Sequence, residues 1–324
     1  MAILNLNNYI KDIKQSILDV IGEKYRRIAD QRLSSVYVFE SFDYSTFSDL
    51  EDSDIMFKKQ IISSLNYLLR RNGFSNSFPA ATYTSIVHKK PQSVIFISKN
   101  QEEADHMLIH EFIHALGSRY KNDIVYRGLT NNKPTHPHKD SFVLDSIGFQ
   151  PSGYPNLDEV LTDLIAKKVM DKRRENNQVI FNNSSSEGYY SSAFMLFESI
   201  YNKYADIFNL AYISMDFTLL EDYFGAQNLR QLDHLVKDFM DLANEYSYYN
   251  LSIYAIYASK VDCDIKSPEF FNQVCDKQID KKFIYTKALK SGEAKKTLIL
   301  FDQAIQTYRN MQAHYNHKYQ PDQV

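Results

Sequence analysis

Residues 106–117 read HMLIHEFIHALG, three histidines four positions apart with a glutamate directly after the middle one. On a helix, side chains at i and i+4 stand one turn apart on the same face. His110 and His114 can therefore close on one tetrahedral zinc ion, while Glu111, next to the first of them, reaches a water on that ion rather than the ion itself. Zinc lowers the pKa of such a water toward ~7, and a neighbouring carboxylate can then take its proton. Met107, Leu108, Phe112, Ile113, Ala115 and Leu116 surround these groups with apolar side chains. The helix is expected to be buried and to end at Gly117, and its polar residues need partners there. His106 extends the row but has no glutamate after it. It is expected outside the ligand set, at the helix surface or bonded to a ligand, because catalytic zinc takes three protein ligands.

A third ligand has two usual sources. A histidine six positions after the second one fails, because Tyr120 stands there although Gly117 fits the pattern. The other source is a glutamate on a later helix. The stretch NLDEVLTDLIAKKVMDKRR (156–174) has a helical apolar face in Leu157, Val160, Leu161, Leu164, Ile165 and Val169, and it carries Glu159 and, one turn on, Asp163. One of these carboxylates can coordinate while the other accepts the second N–H of His110 and fixes its tautomer. His136, His138 and Asp158 are the rival third ligands, and a solvated acidic face is the plain alternative for Asp158, Glu159 and Asp163.

HEFIHALG (110–117) followed by LDEVLTDLIA (157–166) resembles the gluzincin metallopeptidases, the thermolysin and lethal-factor group. The likeness covers roughly residues 93–170. It implies His110, His114 and Glu159 as ligands of Zn2+, Glu111 as general base and Asp163 as partner of a ligand. It also implies an α+β fold: a zincin-like catalytic region with a small mixed sheet over the active-site helix, a mostly helical lower half and C-terminal helices. Gluzincins stabilise the oxyanion with a Tyr or His, which makes Tyr154, Tyr189 and Tyr190 the candidates. The chain departs from the thermolysin pattern in the gap between His114 and Glu159, 159 − 114 = 45 positions, which is much longer than in thermolysin.

Composition sets the remaining bounds. At 324 residues, 44% hydrophobic and 24% charged, the chain is long enough for two domains or one large one and is ordinary globular material. A net charge of −3 with no concentrated basic stripe argues against a nucleic-acid partner. Lys172-Arg173-Arg174 and Lys295-Lys296 read as solvated helix faces. Two cysteines, Cys263 and Cys275, read as free thiols. No stretch approaches the ~18 apolar residues of a membrane span. The N-terminus reads as an amphipathic helix rather than a signal peptide, so the chain is expected in the cytoplasm where it is made, with delivery into another cell as the alternative.

Periodicity predicts a first helix over 7–32, a strand at 35–42, a helix over 54–73, two strands at 81–88 and 93–100, and a long connection over 118–155. Helices follow near 190–205, 215–224, 226–258, 268–290 and 293–315. The domain expectation is a catalytic region at 1–225 and a helical region at 226–324. The functional expectation is a metalloendopeptidase acting on a peptide or protein substrate. Its rivals are a zinc-binding helical interaction protein and a hydrolase of non-peptide amides.

Overall fold

The structure, a computed structural model, describes residues 6–39, 80–87, 90–97, 104–121, 124–132, 141–144, 152–178, 191–241, 267, 269–270, 273–274 and 292–319. Its helices are α1 (Leu6–Ile21), α2 (Glu23–Ser34), α3 (Ala104–Leu116), α4 (Pro155–Glu175), α5 (Ser191–Lys203), α6 (Ala205–Ser214), α7 (Thr218–Phe224), α8 (226–241) and α9 (Gly292–Tyr319). The single helix expected over 7–32 is two, because Gly22 breaks it at φ +89°, a backbone conformation that L side chains rarely adopt. The helix expected over 54–73 lies outside the described residues.

Backbone pairing traces eight short strands: β1 (Tyr37–Phe39), β2 (Ala80–Val87), β3 (Lys90–Ile97), β4 (Ser118–Lys121), β5 (Ile124–Arg127), β6 (Thr130–Asn132), β7 (Ser141–Leu144) and β8 (Ser152–Gly153). They form two ladders, ordered β1-β3-β2-β7 and β4-β5-β6-β8. β1 runs parallel to β3, and the other pairs are antiparallel. The stretch expected as a plain connection over 118–155 thus holds five of these strands. Gly153 is required where β8 meets β6. It has φ +106°, and a Cβ there would lie 2.3 Å from the Leu129 carbonyl oxygen.

The α+β expectation, with a small mixed sheet over the active-site helix, is corrected. Helices, not a mixed sheet, make up the framework of the fold. Among the side chains described, most of the apolar core lies on helices. The physical reason is spacing. Apolar residues recur every three or four positions through segments of ten to twenty-eight residues, so helices bury them. The strands are short, with two to eight residues each.

Two compact units are formed. The first comprises residues 1–153, 165–186 and 213–215. In it, α1 and α2 pack on α3, burying Ile13, Ile17, Leu18, Ala29 and Leu33 with Leu108, Ile109, Phe112 and Leu116. The ammonium of Lys14 lies 5.3 Å from the Phe112 ring centre, and burial pulls its pKa below the usual lysine value. Arg32 donates to the carbonyls of Leu116 (2.9 Å) and Ile213 (2.8 Å). The first of these bonds satisfies an end carbonyl of α3 and sets a cation at the negative end of its dipole.

The second unit comprises residues 154–164, 187–212 and 216–324. Its core is aromatic: Phe208 stacks on Phe224 at 5.5 Å and meets Phe197 edge-on at 5.1 Å. Burial pushes the hydroxyls of Tyr201 and Tyr204 up to about 12. The start of α4 is held by Asp233 of α8, which accepts from the Leu157 N–H and the Asn156 amide, both at 2.8 Å. The Leu157 N–H is a backbone donor that a helix start leaves unsatisfied, and the Asn156 donor is its side-chain amide. Burial raises the Asp233 pKa above the usual carboxylate value. The protonated form is thus favoured by folding; this contribution is present below the unfolded value and lost as pH rises through the higher folded one. Asp233→Ala should cost about 1 kcal/mol in thermal unfolding at pH 7. Asp233→Asn, which keeps an acceptor without the buried charge, should stay within about 0.5 kcal/mol of the parent. Equal losses in the two variants would show that the charge, not the acceptor, holds the helix start.

α4 runs without a break from Pro155 to Glu175, so its residues contribute to both units. Among the described residues, no helix is long and apolar enough to cross a membrane.

Candidate metal centre

The site is built on two helices. α3 is wrapped in apolar side chains, with Leu108, Ile109, Phe112 and Ile113 fully buried and Leu116 nearly so. Its polar residues are buried with them: His106 is 3% exposed, His110 7%, Glu111 8% and His114 2%. A carboxylate and three imidazoles inside an apolar helix face are costly unless each meets a partner of suitable chemistry. The last turn is fixed from behind. The Ser118 hydroxyl donates to the His114 carbonyl (3.1 Å), and the Gly117 N–H donates to the Ile113 carbonyl (3.1 Å).

α4 brings the acidic partners. Glu159 is half-buried, and Asp158 and Asp163 are buried. His110, His114 and Glu159 each offer one donor atom, and these atoms lie within 4.8 Å of one another. The two imidazoles stand 4.7 Å apart between ring centres and nearly perpendicular, at 79°. Bonds of ~2.1 Å at tetrahedral angles would set donors about 3.4 Å apart, so small side-chain rotations close this set on an ion. The donor set also fits chemically. Two imidazole nitrogens and one carboxylate oxygen match the donor types of catalytic zinc sites, which take three protein ligands, whereas structural zinc takes four.

A second group overlaps the first. His106, His110 and Asp163, all buried, also bring one donor atom each within 4.8 Å of one another. His106 is thus not a surface residue. Its place is legible in retrospect: histidines at i, i+4 and i+8 on one helix meet carboxylates at i and i+4 on the other.

The remaining sequence candidates fall elsewhere. The Tyr154 hydroxyl donates to Glu221 at 2.6 Å, and the ring meets Phe217 edge-on at 5.7 Å. Burial first, and then the bond to Glu221, hold its pKa well above the ordinary tyrosine value, so it stays a donor committed to that carboxylate. Tyr189, Tyr190, His136, His138 and both cysteines lie outside the described residues. Asp158 is 3% exposed and so is no part of a wet face. Its carbonyl accepts from Thr162 at 2.8 Å. The Thr162 proton is used in that bond, so the Tyr212 hydroxyl is the donor in its own 2.8 Å contact with Thr162.

Behind the site, Arg173 is fully buried, where the sequence suggested a solvated face. It donates to Asp12 (2.7 Å), Ser16 (2.9 Å) and the Gln178 carbonyl (2.7 Å), and its guanidinium is 3.7 Å from Asp105. Tyr9 also donates to Asp105. Burial, and next the Asp105 charge, push the Tyr9 hydroxyl far above the ordinary tyrosine value, so it remains a donor. Comparison with known protein families, with curated proteins and with solved structures finds no match to this chain.

Proposed function

We propose that the protein is a zinc-dependent metalloendopeptidase of gluzincin type, hydrolysing peptide bonds in a peptide or protein substrate. One observation carries this reading: two histidines a turn apart on α3 and Glu159 of α4 bring three zinc-type donors within 4.8 Å, and Glu111 follows the first of them. Zinc held there would supply a Lewis acid that polarises the scissile carbonyl and acidifies water at neutral pH.

The chain's own residues do the rest. Glu111, set in apolar surroundings and 8% exposed, accepts a proton from the attacking water and returns it to the leaving amine. His110 and His114 are held in place by a buried helix, so little reorganisation accompanies binding. Asp163 lies within the same 4.8 Å reach of His110 and orients that ring by accepting its second N–H.

The test is metal content together with stability. Protein purified without chelator should carry one zinc per chain and cleave a peptide library, and chelation should stop cleavage. At free zinc a hundredfold above Kd, binding should add about 2.7 kcal/mol to stability, read as a rise in Tm over the chelated protein. His110→Asn should lose most of that rise. Protein that holds no zinc and shows no zinc-dependent Tm would refute the proposal.

A further inference from the structure

We propose that His106, His110 and Asp163 form a second seat for a divalent cation, alternative to the His110–His114–Glu159 seat and mutually exclusive with it. This rests on the reading that the first seat binds zinc. The two donor groups share His110, and each gathers its three donor atoms within 4.8 Å. Along α3 the histidines step from 106 to 110 to 114, while along α4 the carboxylates step from 159 to 163; Asp163 groups with the earlier pair of histidines and Glu159 with the later pair. Four residues of helix rise about 6 Å, which places the seats roughly one turn apart.

Exclusivity follows from the shared ring. A neutral imidazole has one nitrogen with a free lone pair, and the other carries the proton. His110 can therefore serve one ion at a time, and an ion in either seat leaves the other with two ligands. Each seat offers two imidazoles and one carboxylate, so charge and donor type do not separate them. Burial does. The second seat is closed, with His106 at 3%, His110 at 7% and Asp163 at 2% exposure, whereas Glu159 is half-buried. An ion in the second seat is shielded from solvent and away from the half-exposed carboxylate, so it would be held without serving hydrolysis. Passage between seats needs only rotation of the His110 ring and exchange of one carboxylate and one imidazole.

The experiment measures zinc per chain by equilibrium dialysis against zinc alone, with Co2+ absorption spectra to report the ligand field. The full chain should bind one zinc, not two. Glu159→Gln and, independently, His114→Asn should each still bind one zinc, with a Co2+ spectrum shifted from the parent's. Glu159→Gln combined with Asp163→Asn should bind none, with circular dichroism establishing that each variant keeps its helices. If the parent binds one zinc and both single variants bind none, the second seat does not exist and the first stands. Two zinc ions on the parent would overturn exclusivity. If parent and variants all bind none, both seats fall together with the proposed function.

Discussion

Glu111→Gln should lower peptide hydrolysis by about 10²- to 10⁴-fold, the range a positioned general base contributes, while the protein still binds one zinc per chain. The substitution replaces one oxygen by an NH2 group, so it conserves volume at a position 8% exposed within a close-packed helix. It removes the ability to accept a proton from water. Glu111 belongs to neither group of donor atoms that could hold the metal, so the metal should stay. Initial rates on a quenched fluorescent peptide, with zinc content by atomic absorption on the same sample, separate the two effects. Unchanged hydrolysis would remove Glu111 from the reaction. Zinc lost together with activity would make it a ligand instead.

The candidate metal centre is largely legible in the sequence because its geometry is local. His110 and His114 need only the helix between them, and that helix is announced by unbroken apolar side chains ending at a glycine. Glu159 and Asp163 were legible as a pair because two acids at i, i+4 interrupt an otherwise apolar helix. What spacing within one segment cannot reveal is which rung of one helix faces which rung of the other, so the pairing of His106 with Asp163 was missed. Arg173 was misread for a related reason. Flanked by Lys172 and Arg174, it looks like one member of a wet basic run, and only the angle of α4 against its neighbours turns its side chain inward while those two stay at the surface. Extended stretches at 35–42, 81–88 and 93–100 coincide with β1, β2 and β3, whereas the five strands within 118–155 have two to four residues each, too short to show a period.

That buried arginine carries the largest expected loss of stability. Arg173→Met removes a fully buried cation whose partners come from three directions: Asp12 and Ser16 on α1, Asp105 on α3 and the Gln178 carbonyl beyond the end of its own helix. Methionine fills most of the stem's volume, so the effect is chiefly electrostatic. Asp12 is 40% exposed and can turn to water, but the side chain of Asp105 is fully enclosed, and its charge would be left to the Tyr9 hydroxyl among the partners named above. Breaking a buried pair from one side costs about 3–5 kcal/mol, read as a shift in denaturant midpoint at constant slope. Adding Asp105→Asn removes the stranded charge, so the double variant should recover part of the loss, and the shortfall from additivity measures the pair. The same clamp bears on the metal. Arg173 lies ten residues beyond Asp163 on one unbroken helix, about 15 Å, and ties that helix to the one that has Asp105 in its first turn and carries the histidines. Loosening it lets α4 slip along α3, so zinc should bind more weakly to folded Arg173→Met than to the parent, and Arg173→Lys should fall between them. A stability within about 1 kcal/mol of the parent, with zinc affinity unchanged, would show that the cluster neither holds the helices together nor sets their register.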